Sequence, residues 1–141
     1  MNAPFRDPQV LDVAIVGAGF SGLCMAIKLK EAGRTNFKVF EKASDIGGTW
    51  FLNRYPGCAC DVPSHLYSFS FEQNPNWSRV FAPGREIKAY ADHCVDRYGL
   101  RSHLRFRTGV LGAQFDEQIP PIGELEKSDT AVSPGTEYWL P

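Results

Sequence analysis

Residues 10–22 read Val10-Leu11-Asp12-Val13-Ala14-Ile15-Val16-Gly17-Ala18-Gly19-Phe20-Ser21-Gly22, an almost continuous apolar run that ends in a glycine string. A run this short, broken only by Asp12, has the pattern of a strand buried on both faces, and so of a central strand in a parallel sheet. Residues 23–32 follow with good helix formers and lysines toward their end, and Gly33 supplies a stop. Residues 37–40 give a second short strand closed by Glu41. Strand, glycine turn, helix and strand together take about the 30 residues that such a unit requires, which makes the chain α/β.

The glycines have a chemical reading. A diphosphate at a helix N-terminus meets backbone N–H groups and the positive end of the helix dipole, provided that no side chain holds it away. In Gly17-x-Gly19-x-x-Gly22 the first glycine allows the tight turn, the second lets a diphosphate approach, and the third lets the helix pack on the strand; Ala26 extends the small face by one turn. Ser21 lies in the same first turn. Glu41 follows 19 residues after Gly22, where a carboxylate accepts the hydroxyls of an adenosine ribose and repels a 2′-phosphate, favouring FAD or NAD over NADP. The competing reading of Glu41 and Lys42 is the solvated end of a strand. With the glycine string in register, the expected fold is a partial Rossmann-like domain on a doubly wound parallel sheet.

Farther along, residues 44–84 lose regular periodicity and are rich in glycine, proline and aromatics, which predicts a long excursion packed on a scaffold or over a ligand. In residues 85–98, Ile87, Tyr90, Ala91, Cys94, Val95 and Tyr98 recur at helical spacing, and Gly99 stops the helix. Leu104, Phe106, Thr108 and Val110 alternate with Arg105 and Arg107, a third strand with one polar face. The organisation expected is a polar arm over residues 1–9, a nucleotide-binding segment over 10–117 and a divergent, poorly ordered tail over 118–141, where four of the ten prolines fall.

Composition narrows the function. The 141 residues, 43% hydrophobic and 22% charged, suit one globular domain and leave no room for two full nucleotide-binding domains. Fifteen basic against sixteen acidic residues, without blocks, make no field for nucleic acid or an anionic membrane. Arg101, Arg105 and Arg107 alternate on one strand face without an aromatic platform, as solvated residues do. No apolar run reaches a membrane span, and the first ten residues lack the core of a signal peptide, so the expected location is cytoplasmic. The four cysteines read as reduced; a lone Cys58-x-Cys60 and scattered His65, His93 and His103 assemble neither a metal site nor a triad.

Three motifs then appear in order: Asp45-Ile46-Gly47-Gly48-Thr49-Trp50, Asn53-Arg54-Tyr55-Pro56-Gly57-Cys58-Ala59-Cys60-Asp61, and Ser64 with Tyr67-Ser68-Phe69-Ser70-Phe71. With the glycine string they resemble the N-terminal part of the class B flavin-dependent monooxygenases, the Baeyer–Villiger and related flavin-containing enzymes, over residues 10–117. The resemblance implies FAD as the first dinucleotide, NADPH as reductant, and oxygenation of a ketone or of a soft nitrogen or sulfur centre in a small-molecule substrate. It implies that Gly17, Gly19, Ser21 and Gly22 hold the FAD diphosphate and that Glu41 binds its ribose. Gly48, Thr49 and Trp50 would lie along the cofactor, Asp61 beside flavin and nicotinamide, Tyr67 against FAD, and Val110, at the carboxyl end of the third strand, against adenine. No catalytic residue or metal ligand is assigned. By themselves Trp50 and Tyr67 also read as core residues, and Asp61 as a turn residue before Pro63.

Members of that family are several times longer, and Ala59 stands where Baeyer–Villiger members often carry arginine. The resemblance ends at Phe115-Asp116-Glu117, which points to a truncated product. A second reading is a non-catalytic FAD- or nucleotide-binding module completed by a partner chain. A parallel sheet without its later strands would keep an open edge, with marginal stability and self-association as the expected consequences.

Overall fold

The computed structural model describes residues 10–115; the polar arm over 1–9 and the tail over 118–141 lie outside the described residues. Strand β1 (Val13–Val16), helix α1 (Phe20–Glu31) and strand β2 (Phe37–Phe40) follow one another as the sequence predicts. A four-residue helix α2 (Thr49–Leu52), the long helix α3 (Gly84–Arg97) and a two-residue strand β3 (Leu104–Arg105) complete the order, with 3-10 turns at Ser64–Leu66 and Arg101–His103. The strands pair in parallel, in the order β1-β2-β3. Val13 pairs with Phe37 and Val16 with Phe40, while Val39 and Phe40 pair with Leu104 and Arg105.

This register puts Ile15, Phe37, Val39 and Leu104 on one face of the sheet, where they are buried. Against them pack Leu23, Ala26 and Ile27 of α1 and Ala91, Cys94 and Val95 of α3. Each fully buried large side chain contributes roughly 1.5–3 kcal/mol, so this single layer of helices on sheet carries most of the stabilisation. Both long helices end as their glycines foretell: Arg34 N–H bonds Leu29 O after α1, and Leu100 N–H bonds Val95 O after α3.

Two expectations are corrected. β1 is an edge strand among the described residues, not a central one, and Val16 is 65% exposed on the outer face. Apolar continuity reports that both faces are suited to burial, but not whether anything covers them. The third strand stops at Arg105 instead of running to Val110. Arg107 takes a positive φ of 54°, and the chain turns so that Arg107 N–H bonds Ala43 O and Thr108 N–H bonds Glu41 O. Alternation continued past the point where the ladder ends.

The long excursion is packed, as expected. Phe69, Phe71 and Trp77 lie against the main core, and the Tyr90 hydroxyl ties the excursion to α3 by accepting from Phe69 N–H (2.8 Å) and donating to Glu72 O (2.6 Å). Burial pushes the Tyr90 hydroxyl far above its ordinary pKa, so it stays a neutral donor. Glu72 clamps the same place through His93 (2.8 Å), Arg97 (2.7 Å) and Tyr98 (3.1 Å).

Candidate functional site

The glycine string forms the turn from β1 into α1. Gly17 has a φ of +91°, and its N–H bonds Phe40 O at 2.8 Å, which pins the turn beside the end of β2. A Cβ at Gly22 would stand 1.9 Å from Gly17 O, so the helix starts against the turn only because that position has no side chain. Gly19 differs. A Cβ there would meet nothing within 4 Å except the Gly48 Cα at 3.9 Å, so Gly19 is not required by the packing of the chain itself. α1 begins at Phe20 with no side-chain cap and no acid in its first turn, which leaves its positive end uncompensated. Ser21 is exposed on that first turn.

Glu41 is buried, 6% exposed, and is not a solvated strand end. Its Oε2 accepts from Ala18 N–H at 2.7 Å and its Oε1 from Ala43 N–H at 2.8 Å. The carboxylate thus ties the glycine turn to the loop after β2. Two bonds use about half of the roughly four acceptor positions of an ionised carboxylate, leaving the others for hydroxyl donors.

The second glycine segment meets the first. Gly47 N–H bonds Ala18 O at 2.9 Å, and Gly47 and Gly48 have φ values of +109° and +53°. Thr49 is exposed at the start of α2, and Trp50 is half-buried. Trp50 Nε1–H donates to the Tyr67 hydroxyl at 3.0 Å, their rings meeting edge to face with centroids 5.4 Å apart. The Tyr67 ring also lies 5.2 Å from that of Phe20, inside the glycine string. Phe20, Trp50 and Tyr67 share a small core with Cys60, Ala82 and Ile87. Trp50 and Tyr67 are therefore packing residues that also wall the glycine turn.

The structure brings Gly17, Gly19, Gly22, Glu41 and Gly48 together and joins Trp50 and Tyr67 to them through Phe20. Asp61 is exposed on the bend after Cys60, and among the described residues no hydrogen bond or ion pair ties it to the glycine turn. Val110 is half-buried in coil five residues past the end of β3; the neighbouring Gly109 runs beside Lys42, a Cβ on it falling 3.9 Å from Lys42 Cβ. The chain thus delivers Val110 near the end of β2 by a turn, not by a strand.

Sequence reasoning missed Phe20, an apolar residue at a variable position of the string, whose ring contacts Tyr67, Phe69 and Tyr90. It also missed the work of Ser64, fully buried, whose Oγ donates to Val80 O and accepts from Ala82 N–H. Cys24, Cys58, Cys60 and Cys94 are free thiols. Among the described residues no three His, Cys, Asp or Glu gather as a metal site, and no helix is long and apolar enough to cross a membrane.

An uncapped helix start, a side-chain-free Gly19 that its neighbours do not demand, and a buried carboxylate with acceptor capacity left over fit the diphosphate and ribose of a dinucleotide. Residues 15–83 match the model of the NAD(P)-binding Rossmann-like domain. The chain is 53% identical over 106 residues to a Baeyer–Villiger monooxygenase of Streptomyces coelicolor, covering 75% of this chain and 20% of that protein. It is 41% identical over 119 residues to an FAD-binding monooxygenase of Aspergillus terreus, covering 82% and 21%. A solved steroid monooxygenase bound to NADP superposes with a TM-score of 0.71 at 46% identity, covering 75% of this chain and 21% of that one. An open cyclohexanone monooxygenase gives 0.71 at 39% identity, covering 76% and 22%. The chain spans about a fifth of the length of the curated relatives it matches.

Proposed function

Because the chain belongs to the family of flavin-dependent monooxygenases that includes the Baeyer–Villiger enzymes, we propose that it is the FAD-binding N-terminal part of such an enzyme. In this reading Gly17, Gly19, Ser21 and Gly22 hold the diphosphate of FAD, and Glu41 and Val110 hold its adenosine. Gly48, Thr49, Trp50 and Tyr67 lie along the cofactor toward the flavin, with Asp61 beside flavin and nicotinamide. Bound FAD would supply the redox centre that couples NADPH and oxygen to oxygenation of a ketone or of a soft nitrogen or sulfur centre in a small-molecule substrate. This chain's residues would orient that cofactor: α1 aims its free N–H groups at the diphosphate, Glu41 fixes the ribose, and the Phe20–Trp50–Tyr67 wall excludes water.

The observation that carries the proposal is Gly19. Packing does not demand its missing side chain, since a Cβ there meets only one atom, at an ordinary contact distance, and this leaves the turn open to a diphosphate. Purified full chain should therefore retain a flavin absorption band through desalting, and Gly19→Ala should lose it while melting as the parent does. Loss of both band and fold, or a band unchanged in Gly19→Ala, counts against the proposal.

A second reading is a non-catalytic FAD-binding module that works with further polypeptide. The edge of β1, open among the described residues, and the exposed Val16 favour it. Flavin retention without NADPH-dependent reduction separates it from the first.

A further inference from the structure

Lys88, in the second turn of α3, sends its side chain across to the loop after β2, and only 15% of that side chain stays exposed. Its Nζ lies 3.0 Å from Asp45 Oδ2 and donates to both oxygens of Asp92, at 2.9 and 2.8 Å. Asp92 belongs to α3 itself, whereas Asp45 stands two positions before Gly47, so one ammonium joins the helix to the second glycine segment. The path is narrow. A Cβ at Gly47 would stand 2.7 Å from Lys88 Cδ and 3.3 Å from its Cε, so the lysine stem would have to shift if Gly47 carried a side chain.

The loop held in this way makes the contacts on which the candidate site depends: Gly47 N–H bonds Ala18 O at 2.9 Å, and the Gly48 backbone lies against that of Gly19. Asp45 is also fixed from its own side, its Oδ1 accepting from Ile46 N–H at 2.8 Å, with Ile46 fully buried. Burial raises the Asp45 carboxyl, but Lys88, the Ile46 N–H and the Arg101 charge outweigh it and keep it ionised opposite the lysine. At the other end Asp92 faces Arg101 Nη2 at 3.7 Å, and Arg101 Nε bonds Asp96 at 2.8 Å. Exposed ion pairs contribute only about 0.2–1 kcal/mol. A mostly buried ammonium shared by carboxylates on two elements does something else, fixing where those elements stand. We propose that Lys88 is a positioning residue for the cofactor site: its bridge from Asp92 to Asp45 holds the Gly47–Gly48 loop against the glycine turn at the separation that a dinucleotide requires. This rests on the FAD reading above, and Lys88 acts through the loop and not by touching the cofactor.

The test uses the full chain and two readouts: hydrogen exchange of Gly47 N–H in the absence of FAD, with Gly17 N–H (bonded to Phe40 O) as reference, and the Kd of added FAD. Lys88→Met keeps an unbranched stem beside Gly47 and removes the charge. It should speed Gly47 exchange about tenfold while Gly17 is unchanged, and raise the Kd for FAD about tenfold, a coupling of the size found between residues in contact. Asp45→Asn keeps an oxygen for Ile46 N–H and leaves Lys88 on Asp92; it should have the same two effects, and the double variant no more than either alone. Should Lys88→Met fail to fold, Asp45→Asn carries both readouts. Gly47 exchange that stays at the parent rate overturns the proposal. So does exchange that rises equally at Gly47 and Gly17, which marks a general loss of stability, and so do effects that add in the double variant. A parent chain that binds no FAD overturns the FAD reading alone, and the exchange of Gly47 against Gly17 then decides whether Lys88 holds the loop.

Discussion

Gly48 lies against Gly19 backbone to backbone: a Cβ on Gly48 would stand 3.2 Å from the Gly19 Cα and 3.8 Å from its nitrogen. The loop after β2 is thereby fastened to the turn after β1, and Trp50 is carried to the aromatic wall beside that turn. Two glycine motifs, 29 positions apart, are one structural unit.

Alanine at three glycines should therefore give three different results in thermal or denaturant melts. Gly22→Ala drives a methyl into Gly17 O at 1.9 Å and should cost roughly 3 kcal/mol or more. Gly48→Ala combines a φ of +53° with the 3.2 Å contact and should cost about 1–3 kcal/mol. Gly19→Ala should stay within about 1 kcal/mol, the difference between glycine and alanine at a helix cap.

Glu41→Ala removes the acceptor of both Ala18 N–H and Ala43 N–H in a buried place. With a cost of about 1–3 kcal/mol for each buried group left unpaired, urea unfolding should show a loss of at least about 2 kcal/mol without any ligand present. An unperturbed midpoint would mean that the carboxylate serves only a bound ribose.

Tyr90→Phe leaves Phe69 N–H and Glu72 O without their shared hydroxyl partner and should cost about 1–3 kcal/mol. Because the loss falls on the junction of the excursion with α3, hydrogen exchange of Phe69 N–H should accelerate first.

Burial raises the Glu72 carboxyl, but hydrogen bonds from His93 and Tyr98 and the Arg97 charge outweigh it and hold it below the ordinary carboxylate range. A pKa lowered by folding gives stability that is present above the unfolded value, near 4.5, and is lost as pH falls through the folded one. Urea midpoints should fall below about pH 4.5. Glu72→Gln, less stable at neutral pH, should show a flatter acid limb.

The edge of β1, unpaired among the described residues and with Val16 65% exposed, is a template for pairing with another chain. Sedimentation should show concentration-dependent association of the full chain, reduced by Val16→Lys, whose side chain points to solvent and leaves the core untouched. A monodisperse, cooperatively melting parent would contradict this.

What was legible and what was not divides by range. The glycine string, the helix stops at Gly33 and Gly99 and the periodicity of α3 are local properties, set by backbone sterics and by which face of a short segment is apolar, so the order of elements over residues 10–41 and 84–99 was legible although the place of β1 in the sheet was not. The sequence by itself also determined the residue types at the candidate site, glycines in the turn after β1 and an acid at the end of β2. Only the tertiary structure decided that Glu41 is a buried tie between two loops, that Gly48 meets Gly19, and that Phe20 joins the turn to Trp50 and Tyr67. It also decided that β1 lies at an edge and that β3 ends at Arg105. These depend on contacts between residues far apart in the chain, where the cost of an added Cβ or an unpaired N–H is set by the neighbour that arrives, and no local pattern records which neighbour that is.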